Sequence, residues 1–304
     1  DRTPDKIAFI DQHTGQNLTY ANLNERASKL ATVMRDDWGA VAGDRLAILA
    51  KNSAEYFVFQ FACVKLGAMM LPLNWRLALQ EWVFILNNAE SIGIVYDSEF
   101  ADDIPNLLDQ TTLSHTLRID LGQAPTDDLP SYEDAIDNAS AEVVMNPQTT
   151  HDTPMTIMYT SGTTGRPKGV IITHGMTFWN AINISVPTGL NCNSVQYIVL
   201  PLFHTGGLNL YANPLVHYGG TSIIAREFDA ETTLKTLTDP SLGVTHFFGV
   251  PAIYLFLSQH DDFDTEANML AKIKEDVINI LVPRVKAKLP AHIQELFDEN
   301  ITYH

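Results

Sequence analysis

The sequence predicts an α/β fold built on mostly parallel sheet, and three observations carry that prediction. Short apolar runs of strand length alternate with stretches at helical spacing from residue 18 to about residue 237. Glycine or asparagine closes several of these segments, as expected where a helix or strand must end in a turn. No repeat at a spacing of roughly 20–50 residues and no low-complexity block breaks the alternation, which excludes solenoids and linker-dominated chains.

Taken in order, Leu18–Met34 sets Leu23, Ala27, Leu30 and Ala31 on one helical face behind Thr19, a suitable N-cap. Arg45–Ala50, bounded by Gly43 and Asn52, reads as a strand, and Ala54–Leu66, ended by Gly67, as the helix that follows it. Ala68–Leu73 is strand-like, Gln80–Asn88 helical and Ile92–Tyr96 strand-like. Between Asp97 and Pro154 the chain is rich in Asp, Thr, Asn and Pro with weak periodicity, so peripheral loops and short elements are expected there, with a soft subdomain boundary. Met155–Tyr159, Gly169–Thr173, Val195–Leu200 and Thr221–Ala225 are further buried strands, with helices over Met176–Ile184 and Glu231–Leu237. In the tail, Met269, Leu270, Ile273, Val277, Ile280 and Leu281 fall at helical spacing, Pro283 interrupts, and Ile293, Leu296 and Phe297 mark a second short helix. The expected organisation is a first α/β subdomain over 1–150, a second over 151–264, and a helical tail over 265–304.

Composition bounds the function. The 304 residues are 45% hydrophobic and 18% charged, as in an ordinary globular protein, and no window holds the roughly 18 uninterrupted apolar residues of a membrane helix. Asp1–Ile10 lacks the basic start and apolar run of a secretory signal, so a cytoplasmic location is expected. Cys63 and Cys192 are too few for a disulfide framework or a cysteine metal site and are read as packing residues. A formal charge of -17, from 19 basic and 36 acidic side chains, repels nucleic acid. A small phosphate ligand stays compatible with that field, because backbone N–H groups can cradle one locally.

The densest chemistry lies in Tyr159-Thr160-Ser161-Gly162-Thr163-Thr164-Gly165-Arg166-Pro167-Lys168-Gly169, between two apolar strands. Glycines let successive N–H groups face one centre, hydroxyls add donors, and Lys168 supplies a mobile positive charge: this is the chemistry of a polyphosphate cradle. A Walker A loop is excluded, since its spacing is absent and Pro167 stands where the second glycine would be. The plain alternative, a flexible Gly/Thr surface loop, does not account for a lysine and several hydroxyls packed between two buried strands.

This stretch resembles the signature of the adenylate-forming (AMP-binding) superfamily, which comprises acyl- and aryl-CoA synthetases, luciferases and the adenylation domains of peptide synthetases. The resemblance implies an amino-terminal synthetase domain with mostly parallel sheets flanked by helices. It also implies that Thr160, Ser161, Gly162, Thr163, Thr164, Gly165 and Lys168 hold the β- and γ-phosphates of ATP, with Arg166 and Pro167 shaping the loop. Downstream, Leu200-Pro201-Leu202-Phe203-His204-Thr205-Gly206-Gly207-Leu208 is similar to the segment that begins the family's acyl pocket, making His204, Thr205, Gly206 and Gly207 substrate-side candidates. His204 has two readings: an imidazole that orients the substrate carboxylate for attack on the α-phosphorus, or a residue packed at a strand end. Amino-acid-activating members resemble Phe-Asp at this place, so Phe203-His204 favours an acyl or aryl acid without an α-ammonium group.

Gly67–Leu77 and Gly243–Tyr254 resemble the same family. Asn74 and Arg76 are expected to be structural, and Gly249, Val250 and Pro251 either border the acyl tunnel or simply end an apolar strand. The expected reaction is ATP-dependent activation of a carboxylic acid, fatty or aryl, to acyl-AMP and then acyl-CoA, with Lys168 and His204 as the catalytic pair. ATP, Mg2+ and coenzyme A are the implied co-substrates and cofactor. Beyond Asp264 the family's motifs for adenine, ribose, magnesium and a mobile carboxy-terminal domain are not legible, so no metal ligand is assigned. Two alternatives stay open: a non-catalytic nucleotide- or acyl-binding remnant, or partner-dependent fragment, and an amino-acid adenylation domain.

Overall fold

The structure, a computed structural model, describes residues 3–120, 130–141, 145–160, 166–260 and 263. The chain forms two compact units, Asp1–Phe228 and Asp229–His304.

The first unit opens with β1 (Ile7–Asp11), β2 (Asn17–Thr19) and α1 (Tyr20–Asp36), where Thr19 Oγ1 accepts from Asn22 N at 3.1 Å and so caps the helix as its position implied. Then follow β3 (Arg45–Leu49), α2 (Ala54–Leu66), β4 (Met69–Pro72), α3 (Leu79–Ala89) and β5 (Gly93–Asp97). The polar stretch read as peripheral holds a 3₁₀ turn, α4 (Ile104–Gln110), β6 (His115–Ile119) and α5 (Tyr132–Asn138). After it come β7 (Pro154–Thr160), β8 (Lys168–Thr173), α6 (His174–Thr188), β9 (Val195–Ile198), the short turn α7 (Thr205–Gly207), α8 (Asn213–Tyr218) and β10 (Thr221–Ile224).

One sheet has the order β6-β5-β3-β4-β7-β8, parallel except for β8, which runs antiparallel to β7. Within the first unit the second sheet places β9, β10 and β1 in parallel, with β2 antiparallel on β1. Two mostly parallel sheets flanked by helices are what the alternation required. The larger core joins Ile48, Met70 and Val95 of the first sheet and Phe9, Ile198 and Ile224 of the second to α1 and α2. Phe9 and Phe57 stack at 4.2 Å within it. Helix α2 is apolar nearly all round because it is covered on nearly every side. It ends at Gly67, whose φ of 79° and closeness to Asn146 leave no room for a Cβ. A second core packs Trp82 and Leu86 of α3 and Ile104 and Leu107 of α4 on the outer face of the first sheet. The second unit contains α9 (Ala230–Thr238), β11 (His246–Phe247) and α10 (Pro251–Ser258).

Two expectations need correction. β8 is an exposed edge strand rather than a buried one, with Val170 and Ile171 half-exposed, because among the described residues no further strand of the sheet pairs beyond it. Cys192 is exposed in a loop rather than packed in the interior, whereas Cys63 is buried as expected. The amino-terminal strands β1 and β2 carried no expectation, and both pair into the second sheet. The expected helical hairpin over 265–304 lies outside the described residues. Among the described residues no helix is long and apolar enough to cross a membrane.

Gly93 sits where a Cβ would come within 2.6 Å of the buried Trp38 ring. We expect Gly93→Ala to lower stability by about 1–3 kcal/mol through overpacking, seen as a lower urea midpoint at unchanged denaturant slope.

Candidate functional site

In parallel sheets ligands gather outside the carboxyl ends of the strands, and the candidate residues leave their strands at those ends. β7 is buried through Met158, half-exposed at Tyr159 and exposed at Thr160. Thr160 pairs with Lys168 and Tyr159 with Gly169, so both arms of the glycine- and hydroxyl-rich motif are held side by side by the β7–β8 ladder. Ser161, Gly162, Thr163, Thr164 and Gly165 lie outside the described residues. Helix α3 anchors both arms: Tyr159 Oη donates to Asn88 Oδ1 at 2.6 Å, and the Arg166 guanidinium lies 6.0 Å from the Phe84 ring. Gly169 permits this pairing, since a Cβ there would lie 3.0 Å from Ile157 Cγ2 and 3.2 Å from the Tyr159 ring.

The second segment leaves β9 as Leu200–His204. Asn52, buried just after β3, holds it with two hydrogen bonds: Nδ2 donates to Leu200 O at 3.0 Å, and Oδ1 accepts from Leu202 N at 2.9 Å. Phe203 meets Trp75, which follows β4, edge to face at 6.4 Å, and the Arg76 guanidinium lies 4.7 Å from the Trp75 ring. His204 is exposed and caps the turn after it, its Nδ1 accepting from Gly206 N at 3.1 Å. That bond fixes the neutral tautomer: with Nδ1 as acceptor, the proton sits on Nε2, which is a donor. Gly207 closes the turn against the Pro201 and Leu200 carbonyls, where a Cβ could not be accommodated. Thr205 Oγ1 accepts from Asn209 Nδ2 at 3.2 Å.

Charged side chains tie the strand ends together. Asp97, ending β5, accepts from Lys51 N and from Arg226 at 2.7 Å each. Arg226, which follows β10, also pairs with Glu99. Lys51 Nζ binds Glu99 at 2.9 Å and Glu227 at 2.7 Å, and lies 5.1 Å from the Trp75 ring. Burial pushes the Asp97 carboxyl up to about 6 against the opposing pull of Arg226. Asn52, Lys51, Asp97 and Arg226 were not singled out from the sequence. The available signal was their position, polar residues immediately after apolar strands.

Asn74 makes local structural contacts: its carbonyl accepts from Trp82 Nε1 at 2.9 Å and its Oδ1 from Arg76 N at 3.0 Å. In the second unit, Gly249 N donates to Tyr254 Oη at 3.1 Å and Pro251 begins α10, so this segment is a strand-to-helix turn. Among the described residues no group of three or more His, Cys, Asp or Glu side chains is placed to hold a metal ion.

Comparison with known proteins fits this geometry. A family model described as AMP-binding enzyme matches residues 1–299, continuing past residue 264, where legible motifs stop. A feruloyl-CoA synthase of Amycolatopsis sp is 33% identical over 251 residues, covering 82% of this chain and 47% of that protein. An indoleacetate–CoA ligase of Aromatoleum aromaticum is 32% identical, covering 78% of this chain and 48% of that protein. ATP-bound MatB from Rhodopseudomonas palustris superposes with a TM-score of 0.74 at 29% identity, over 85% of this chain and 49% of that one. The inhibitor-bound amino-terminal domain of FACL13 from Mycobacterium tuberculosis gives a TM-score of 0.74 at 28% identity, over 86% and 63% of the two chains. The chain spans about half the length of the curated relatives it matches.

Two outcomes check the scaffold. The folded Asp97 carboxyl titrates near 6, above the value near 3.8 of a free side chain. Its contribution to stability is therefore fully present below about pH 4 and lost as pH rises through about 6, roughly 1–3 kcal/mol in all. Asp97→Asn should flatten that dependence in urea unfolding at pH 4 and pH 7. Asn52→Ala leaves Leu202 N unpaired in the core and should cost about 2–3 kcal/mol in the same assay.

Proposed function

The chain belongs to the AMP-binding enzyme family, and from that premise we propose that it carries the phosphate-binding and acyl-orienting parts of an AMP-forming acid–thiol ligase. In the proposed reaction a substrate carboxylate oxygen attacks the α-phosphorus of ATP. The bond from that phosphorus to the bridging oxygen breaks, and pyrophosphate leaves with the electron pair. The thiol of coenzyme A, losing its proton, then displaces AMP from the acyl-AMP to give the thioester.

The observation that carries the reading is the β7–β8 hairpin, which pairs Thr160 with Lys168 at the carboxyl end of β7 and encloses the glycine- and hydroxyl-rich motif between them. Thr160, Ser161, Gly162, Thr163, Thr164 and Gly165 would donate hydrogen bonds to the β- and γ-phosphates, and the Lys168 ammonium would neutralise charge developing on the leaving pyrophosphate. His204, with Nε2–H as donor, would bind and orient the carboxylate rather than remove a proton. Thr205, Gly206 and Gly207 would border the acid beside it. The family implies Mg2+, an ion usually held through substrate phosphates and one or two carboxylates; no ligand for it is assigned among the described residues, so no step is routed through one.

His204 favours an acid without an α-ammonium group, which sets the amino-acid reading aside. Relatives named for feruloyl-CoA, indoleacetate and 2-succinylbenzoate favour an aryl over a fatty acid. The division of labour follows the chain: residues 1–150 supply scaffold, and 151–264 carry the phosphate loop and the start of the acyl wall.

The test is pyrophosphate release with ATP, Mg2+ and short, medium, long and aromatic acids. Lys168→Ala should lower release by about a hundredfold or more, and retained release in that variant overturns the loop assignment. His204→Ala should lower kcat/KM for the acid by about ten- to a hundredfold while leaving ATP affinity unchanged. No release from folded protein would favour the alternative of a nucleotide- or acyl-binding fragment that acts with a partner.

A further inference from the structure

Helices α2, α6 and α8, with the start of β7, enclose a cleft of about 220 Å³ that the proposed reaction does not use. Phe61, Val64, Met155 and Phe178 contribute apolar wall, and none of its lining side chains is Asp, Glu, Lys or Arg. Three of the residues lining it, Gln60, His174 and Thr177, each bring one buried polar atom with no protein partner among the described residues: Gln60 Oε1, His174 Nε2 and Thr177 Oγ1. Gln60 is 0% exposed, so its carbonyl has given up solvent without gaining a bond, an arrangement that native interiors rarely leave uncompensated. Burial and the neighbouring His151 hold His174 below the ordinary histidine range, which favours its neutral form.

The other end of Gln60 is engaged, and the direction of its bond matters. Gln60 Nε2 donates to Asn213 Oδ1 at 2.7 Å, Asn213 Nδ2 to Asn209 Oδ1 at 2.8 Å, and Asn209 Nδ2 to Thr205 Oγ1 at 3.2 Å. Every amide in this relay points its N–H away from the cleft and toward Thr205, the neighbour of His204. The unpartnered end of Gln60, a residue of the cleft wall, is thus an acceptor, and a donor brought to it extends the relay with the same polarity, each bond strengthening the next. A cationic ligand would be desolvated without a counter-charge, since no carboxylate lines the cleft, and a purely apolar one would leave Gln60 Oε1 unpaired.

We propose that this cleft is a second binding site, for a small neutral molecule with an apolar or aromatic body and one hydrogen-bond donor seated on Gln60 Oε1, and that the amide relay transmits its occupancy to Thr205. Its test reads binding alone and stands apart from the adenylation reading. Phenol and fluorobenzene, similar in shape and differing in the donor, are titrated into the unaltered protein and followed by ligand-observed NMR. Phenol should bind saturably and fluorobenzene at least about tenfold more weakly, the loss of one hydrogen bond to a buried acceptor. Val64→Phe, which fills the cleft, should abolish phenol binding, and Gln60→Met should bring phenol to the fluorobenzene level. Phenol should also shift the side-chain amide resonances of Asn213 and Asn209. Equal affinities for the two probes, no saturable binding of phenol, or phenol binding unchanged by Val64→Phe overturns the site. Unmoved Asn209 resonances at saturation overturn the relay.

Discussion

Asn52 holds the chain leaving β9 to the chain leaving β3, and the candidate site depends on that attachment. One buried carboxamide uses both its donor and its acceptor on the backbone of Leu200 and Leu202. It thereby fixes the segment that delivers Phe203 and His204 relative to the first sheet. Neither a hydrophobic side chain nor a charged one could do this: the first offers no direction, and the second would have to be neutralised in the interior.

Around that clamp, polar interactions set geometry and apolar ones supply cohesion. Phe9 on Phe57 and the helices α1 and α2 join the sheets through apolar burial, which is strong but tolerant of small shifts. Asp97 with Arg226, and Lys51 with Glu99 and Glu227, link the ends of β3, β5 and β10 with directional bonds. This inverts the usual roles of surface ion pairs, which are worth little energetically. Here their use is to hold loops in register at the rim where a ligand would sit.

The same rim explains how an acidic protein accommodates the phosphate-binding motif proposed for Thr160–Lys168. The overall charge is -17, yet Lys51 and Arg226 have their carboxylate partners beside them, and Lys168 lies exposed at the mouth of its hairpin. Local donors decide phosphate binding over a few ångströms, while the net field acts at longer range and is screened by salt. His204 follows a similar logic. The acceptor role of Nδ1 in capping Gly206 presets Nε2 as a donor, so folding itself prepares the group that would face a carboxylate.

By itself the sequence determined the α/β class, the cap at Thr19, the helix end at Gly67, and the two motifs around Thr160–Lys168 and Leu200–Gly207. Each of these is local: periodicity, cap chemistry and loop composition act over a few residues and are legible wherever they occur. β1 and β2 escaped notice because they are short, and because β1 finds its parallel partner β10 only after some two hundred intervening residues. The exposure of β8 was likewise hidden, since apolar content alone cannot tell a central strand from an edge. Only the tertiary structure decided that Asn52 reaches Leu200 and that Gln60 begins a chain of amides ending at Thr205. Both join residues about 150 apart, and no local pattern encodes a partner that long-range packing alone brings within hydrogen-bond reach.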